Sequence, residues 1–358
     1  MAEAVAPTGA VIAHTPGRPA EELGLSGIAA LAAGYQRAQV LFAAAELDVF
    51  GILAAGPKSA EEVAAILDAP LRGVRLLLDA CVALKLLKAG DRGYENSRSA
   101  RLFLAGRGEF SFRPTLRFWQ TFSYGVWGRL SEAVRHNQPQ LATGPKPADL
   151  FAQMATDPSE TRVFFEGLAG LAYWPARRLA ELIDLSAFHH VIDVGGGTGV
   201  YSEALLKRNP HLRVTLFDEA PVCALARERL AGRSFDGRVQ VIEGDFHRGP
   251  LPEDADCALV SNVLHDWQPS ECLRLLREIR AVLPPGGQII VHDFAPGEGE
   301  QTAEATLFSL ALLLDTCGGQ VYRADEMATW LREAGFDRIR HVPITTETSA
   351  IVGLVKPA

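Results

Sequence analysis

Apolar positions recur at spacings of three and four through residues 35–49 and again through 71–84, which predicts amphipathic helices from about Ile28 to Leu104. Between these stretches Ser59 stands before Ala60-Glu61-Glu62, a capping residue followed by acids in the first turn, so a short helix starts there. Asp68-Ala69-Pro70 makes a turn into the next helix. Beyond it, residues 86–88 and 93–95 flank Ala89-Gly90-Asp91-Arg92 and read as a two-stranded wing, completing a winged helix. Residues 110–185 are helical again and rich in aromatics: Phe118, Trp119, Phe122, Tyr124, Trp127, Phe151, Phe164, Phe165, Tyr173 and Trp174. Most of these are expected in helix-packing cores, and Trp119, Phe122, Phe165 and Trp174 are the candidates for walls of an apolar ligand pocket.

After Leu185 the pattern changes to short apolar runs at 190–194, 213–217, 239–242, 257–260 and 288–292, separated by helical stretches at 200–208, 221–230, 271–283 and 302–315. Such alternation predicts a parallel, doubly wound α/β sheet. A helix at 325–334 and apolar runs at 338–342 and 350–355 suggest a terminal hairpin on that sheet. The expected division is a leader over 1–24, a winged-helix domain over 25–108, a helical pocket region over 109–185 and an α/β domain over 186–358.

Composition narrows the classes. At 358 residues, 48% hydrophobic and 22% charged, the chain is long enough for two units with sizeable cores. Its net charge of -8 repels polyphosphate and anionic lipid, so neither nucleic acid nor membrane is the expected partner. The segment that a DNA-binding winged helix would place in the major groove offers only Arg72, Arg75 and Lys85 among apolar neighbours, too few cations and polar base readers. Packing against a second subunit suits it better, which predicts a homodimer. The five cysteines never fall in C-x-x-C, so no disulfide framework or zinc site is expected, and free thiols point to the cytoplasm. The first 24 residues read as a flexible leader without a signal-peptide core, and no run reaches the roughly 18 apolar residues of a membrane span.

The chemistry is concentrated at strand ends. The first α/β strand runs into Gly195-Gly196-Gly197-Thr198-Gly199 and then a helix, a backbone suited to close approach by a ligand at a helix N-terminus. Counted from Gly195, the spacing is G-x-G-x-G, with Val200 where the dinucleotide fingerprint requires glycine, which disfavours NAD. The next strand ends at Asp218, a carboxylate able to accept from two ribose hydroxyls. The third ends at Asp245-Phe246, an acceptor for an exocyclic amine beside a ring that can cover adenine.

VIDVGGGTG, FDEAP, EGDF, SNVLHDW and LPPGGQIIVHD together resemble the class I S-adenosylmethionine (SAM)-dependent methyltransferases, specifically the caffeate, hydroxyindole and bacterial-antibiotic type of O-methyltransferase. The resemblance spans about residues 28 to 358. It implies a Rossmann-like seven-stranded methyltransferase sheet, an N-terminal helical winged-helix dimerisation domain, SAM as cofactor and a small-molecule acceptor. By that resemblance the cofactor-binding candidates are Gly195, Gly197, Gly199, Asp218, Asp245, Phe246, Ser261 and Trp267, with Ser261 standing where plant members carry Lys.

His265 lies at the end of the fourth strand, on the same sheet edge as the glycine loop, whereas His189, His190, His211, His247 and His341 are expected in structural or surface roles. In the resembling family the histidine of the H-D-W motif is a general base held by two acids. The first maps onto Asp293, and the second onto Val321, which leaves Asp293 to orient the imidazole alone. A histidine near pKa 6.5 can take the proton of a phenol near 10 as methyl transfer proceeds. Two other readings stay open on the same scaffold: methylation of a thiol or thioether, and a winged-helix regulator that senses SAM.

Overall fold

The computed structural model describes residues 22–106, 110–141, 157–233, 235, 237–295 and 302–356. The leader expected over 1–24 thus falls almost wholly outside the described residues, as does Phe151.

Ser59 does cap the Ala60–Leu67 helix: its hydroxyl accepts the Glu62 N–H at 3.2 Å while the Glu62 carboxylate accepts the Ser59 N–H at 2.7 Å. Val74, Leu78 and Cys81 form the buried stripe of the Leu71–Ala83 helix and meet Phe50, Val63 and Leu87 in one core. The wing forms as β1 (Leu87–Gly90) antiparallel to β2 (Gly93–Asn96). Buried Asn96 donates its amide to the Phe50 carbonyl at 2.8 Å, which ties the wing to the helices. On the outer face Arg75 pairs with Glu61 at 2.5 Å and Asp79 accepts from the Tyr94 hydroxyl at 2.6 Å. Of the cations that a groove-reading helix would present, Arg75 is thus engaged within the module itself.

A helical layer links this module to the sheet. Arg113–Phe118 runs through a π turn at Trp119–Ser123 into Tyr124–Trp127, with Phe122 buried in a cluster against which Trp119 packs. Over it passes the long Pro158–Leu182 helix, started by the Asp157 carboxylate accepting the Ser159 N–H at 2.7 Å. Its first half packs Phe164 against Phe118 and Phe122, and its second half buries Ala176, Leu179 and Ala180 on the sheet.

The sheet comprises β3 (His190–Val194), β4 (Arg213–Asp218), β5 (Val239–Glu243), β6 (Cys257–Ser261), β7 (Gln288–Phe294), β8 (Phe336–Pro343) and β9 (Thr348–Val355). Its order is β5-β4-β3-β6-β7-β9-β8; the first five are parallel to one another and β9 runs antiparallel to both β7 and β8. Consecutive residues Val191 and Ile192 belong to cores on opposite faces, which is why the central strands read as unbroken apolar runs. The connection from β3 leads to β4 on one side and the chain later returns to β6 on the other, so the strand order switches at β3 and a crevice opens at the C-terminal ends of these parallel strands.

Candidate active site

A cavity of about 990 Å³ opens above that crevice, floored by the strand ends and roofed by the helical layer. In the glycine loop Gly195, Gly197 and Gly199 have φ of 68°, 56° and 81°, left-handed conformations that a side chain would strain. A Cβ on Gly195 would also stand 2.7 Å from Val263, so the loop is held close to the next strand end. The Gly195 N–H donates to the Phe217 carbonyl at 2.9 Å, and Gly199 starts the Val200–Arg208 helix.

Asp218, read from sequence only as a ribose acceptor, has a second job. Its two oxygens accept the Gly197 and Glu219 N–H groups at 2.8 Å each, bracing the glycine loop, while further lone pairs remain for a ligand. Burial pushes its carboxyl up to about 6. Asp193, one strand away and 1% exposed, accepts from the Ser202 hydroxyl at 2.6 Å and is likewise pushed up to about 6 by burial. Asp245, Phe246 and Trp267 line the neighbouring part of the cavity, with Phe246 edge-on to Trp267 at 6.3 Å.

The chain leaves β6 through Asn262, whose φ of 55° is tolerated by its short polar side chain, and a 3-10 turn at Leu264–Asp266 then presents His265 to the cavity. Asp293, near the end of β7, lies with Oδ1 2.5 Å from His265 Nδ1, and the same oxygen accepts the Phe294 N–H at 2.8 Å. This fixes the proton on Nδ1 and leaves Nε2 for a ligand. Asp293 is not, as expected, the sole acid beside the ring. Val321 sits in an apolar cluster with Ala305 and Leu312, but the carboxylate of Asp266 lies 3.6 Å from Nε2 and supplies a second acid from the H-D-W motif itself. Burial alone would lower the His265 pKa; the charges of Asp293 and Asp266 outweigh it and raise the value to about 9. The rings of Phe308 and Phe294, 5.0 and 6.4 Å away, shield the pair from water.

A nucleotide-type loop and a carboxylate-held histidine therefore share one cavity. Residues 127–337 match the model of the O-methyltransferase domain, and residues 29–106 match that of the O-methyltransferase dimerisation domain. The chain belongs to the O-methyltransferase family. It is 35% identical over 313 residues to the 3-hydroxy-5-methyl-1-naphthoate 3-O-methyltransferase of Streptomyces sahachiroi, covering 87% of this chain and 89% of that one. It is 36% identical over 324 residues to the acetylserotonin O-methyltransferase of Mus musculus, covering 87% and 83%. The structure of human N-acetylserotonin methyltransferase in complex with SAM superposes with a TM-score of 0.86 at 32% identity, covering 95% of this chain and all of the other.

In this O-methyltransferase the four candidate wall aromatics divide evenly. Trp119 and Phe165 line the cavity, and Phe165 reaches over the glycine loop to 3.9 Å from the position of a Cβ on Gly197. Phe122 instead packs into a core at 5.9 Å from both Phe118 and Phe164. Trp174 is 42% exposed and rests on Tyr173 outside the cavity. Helical spacing separates the faces of a helix without saying which face meets the ligand. Ser261 does line the cavity, but its hydroxyl is bound to His292 Nδ1 at 2.9 Å.

Several lining residues were not singled out beforehand. His292 is fully buried on β7 and its Nε2 has no hydrogen-bond partner among the described residues, and burial lowers its pKa to about 4; its place just before Asp293 in a strand was the available signal. His247, expected to be structural, lines the cavity with its ring 3.9 Å from Trp267, and Arg274 reaches its Nδ1 at 2.7 Å. Phe308 and Asp315 come from the Ala303–Asp315 helix, whose apolar sequence carries no motif.

Proposed function

We propose that this O-methyltransferase moves the methyl group of SAM to a hydroxyl of a small aromatic acceptor, with His265 accepting the hydroxyl proton at Nε2 and Asp293 holding the ring. The observation that carries this is the 2.5 Å His265–Asp293 pair inside the cavity that also contains the glycine loop. SAM supplies, when bound, an electrophilic methyl on a cationic sulfur. The donor set suits such a group: glycines leave room beside the backbone, and Asp218, Glu219 and Asp245 surround the cofactor half of the cavity with negative charge. Gly195, Gly197, Gly199 and Asp218 would hold the ribose and amino-acid part, Asp245, Phe246 and Trp267 the adenine, with Ser261 between the halves. The named acceptors of the two curated relatives, a hydroxynaphthoate and acetylserotonin, are both hydroxylated fused aromatics, in keeping with the Trp119 and Phe165 walls.

Asp218→Ala should weaken SAM binding by about 1.5–3 kcal/mol, because it removes a charged acceptor and releases the Gly197 N–H. Calorimetry on ligand-stripped protein measures this, and an unchanged affinity would remove Asp218 from the cofactor site. Asp266→Asn removes one of the charges that raise the His265 pKa, so the rising limb of the rate profile should move to lower pH. A limb that stays in place would show that Asp266 does not set the charge of this histidine.

The assembly we infer is a homodimer through the N-terminal module, with the four proposed divisions of the chain as units. Leu25, Ile28, Leu31 and Tyr35, spaced three and four apart, are 83%, 54%, 73% and 57% exposed, an apolar stripe contiguous with the dimerisation-domain match. Light scattering at micromolar concentration should give twice the 38.6 kDa of one chain, and a monomer mass would contradict the assignment. We place the protein in the cytoplasm, away from nucleic acid and membrane. Cys81, Cys223, Cys257, Cys272 and Cys317 are free thiols, and among the described residues no single helix is long and apolar enough to cross a membrane.

A further inference from the structure

The acceptor half of the cavity has a charge pattern that methyl transfer does not by itself require. Phe308, Leu312 and Asp315 lie four and three residues apart on the Ala303–Asp315 helix and, with Ala311, line the cavity together. Phe308 packs on the His265 ring at 5.0 Å, which places this stripe on the acceptor side and away from the glycine loop. Asp315 is the last residue of that helix, where the helix dipole opposes a negative charge. Its carboxylate has no hydrogen-bond or ion-pair partner among the described residues, and the charge it interacts with is another negative one, that of Asp266. Not one lysine or arginine is found among the described residues that line the cavity, whereas Asp266 and Asp315 both line its acceptor half. An unpaired carboxylate in a largely apolar space costs free energy unless a ligand pairs with it.

We infer that Asp315 is a specificity-determining residue: it pairs with a protonated amine carried by the aromatic acceptor, and the same carboxylate, with Asp266 beside it, excludes acceptors that carry a carboxylate. This rests on the methyl-transfer reading above and adds the charge class of the acceptor. Burial first, and then the Asp266 charge, push the Asp315 carboxyl up to about 7, the behaviour of an acid that lacks a cation. An ammonium group in the cavity would restore the charged form and remove the repulsion. The aromatic walls suit the body of such a ligand, so the amine is read by Asp315 and the hydroxyl by His265.

The test is calorimetry on the full-length protein saturated with S-adenosylhomocysteine, titrated with three hydroxyindoles that differ only in an aminoethyl, acetamidoethyl or carboxymethyl arm. The amine should bind at least about tenfold more tightly than the carboxylate, the size of one charge-assisted hydrogen bond. In Asp315→Asn the amine should lose about tenfold while the neutral acetamide stays within about twofold, which controls for folding. Carboxylate binding as tight as that of the amine, no measurable amine binding, or an amine affinity unchanged in Asp315→Asn would overturn the assignment. If the amine preference holds but none of the three is methylated from SAM, the methyl-transfer reading fails and the charge preference stands, so the two are told apart.

Discussion

Replacing His265 by alanine is expected to lower kcat by roughly 10²–10⁴-fold, the usual range for a positioned general base, with little change in SAM affinity. The separation follows from the geometry. His265 touches Asp293, Asp266 and the Phe308 ring, while the backbone groups that would hold the cofactor belong to the glycine loop and β4. Removing the imidazole also leaves the Asp293 carboxylate buried at 2% exposure with only its backbone donors, so the variant should lose some stability as well as rate. Turnover at saturating SAM and acceptor, with SAM affinity measured separately, decides the point. A variant with unchanged kcat and acceptor KM would take His265 out of the mechanism.

Asp293→Asn should be the next most damaging change, lowering kcat by about 10²-fold or more, as expected when the orienting carboxylate of a catalytic histidine is lost. An asparagine can turn its NH₂ toward Nδ1, and the ring then carries its proton on Nε2, where it cannot accept one from the substrate. The loss should appear in kcat more than in acceptor KM, since Asp293 is 2% exposed and lies behind the ring. Asp293→Glu keeps the charge and should recover more activity than Asp293→Asn. Equal rates for the two would mean that the carboxylate does not orient the base.

Much of this site was legible because its chemistry is local in sequence. Gly195, Gly197 and Gly199 adopt the left-handed conformations that only such a run of glycines allows at low cost, Asp218 ends its strand, and Asp245 and His265 stand within a few residues of the ends of theirs. The helices and strands of the α/β half were equally readable, because central parallel strands are apolar on both faces. The placement of β9 between β7 and β8 was not, since periodicity predicts a hairpin without saying which of its strands joins the sheet. Nor was the second acid on His265. Asp266 is adjacent in sequence, but its approach to Nε2 depends on the 3-10 turn that folds the motif back. The pocket walls were the least legible: Trp119 packs at the edge of the Phe118, Phe122 and Phe164 cluster and also lines the cavity, whereas Phe122 is buried within that cluster, and periodicity does not separate the two.

That second acid also changes the expected pH behaviour. An unperturbed histidine would give a rising limb near 6.5, whereas the charges of Asp293 and Asp266 raise His265 to about 9. The neutral, proton-accepting form then gains population only as pH climbs toward that value, and its basicity approaches that of a phenol near 10. The most direct measurement is the single-turnover rate of methyl transfer from SAM to a hydroxyindole as a function of pH, in the wild type and in His265→Ala. The account predicts a wild-type rate that rises with pH through a limb well above 6.5 and a variant that is slow and lacks that limb; the same limb and the same rate in both proteins would contradict it.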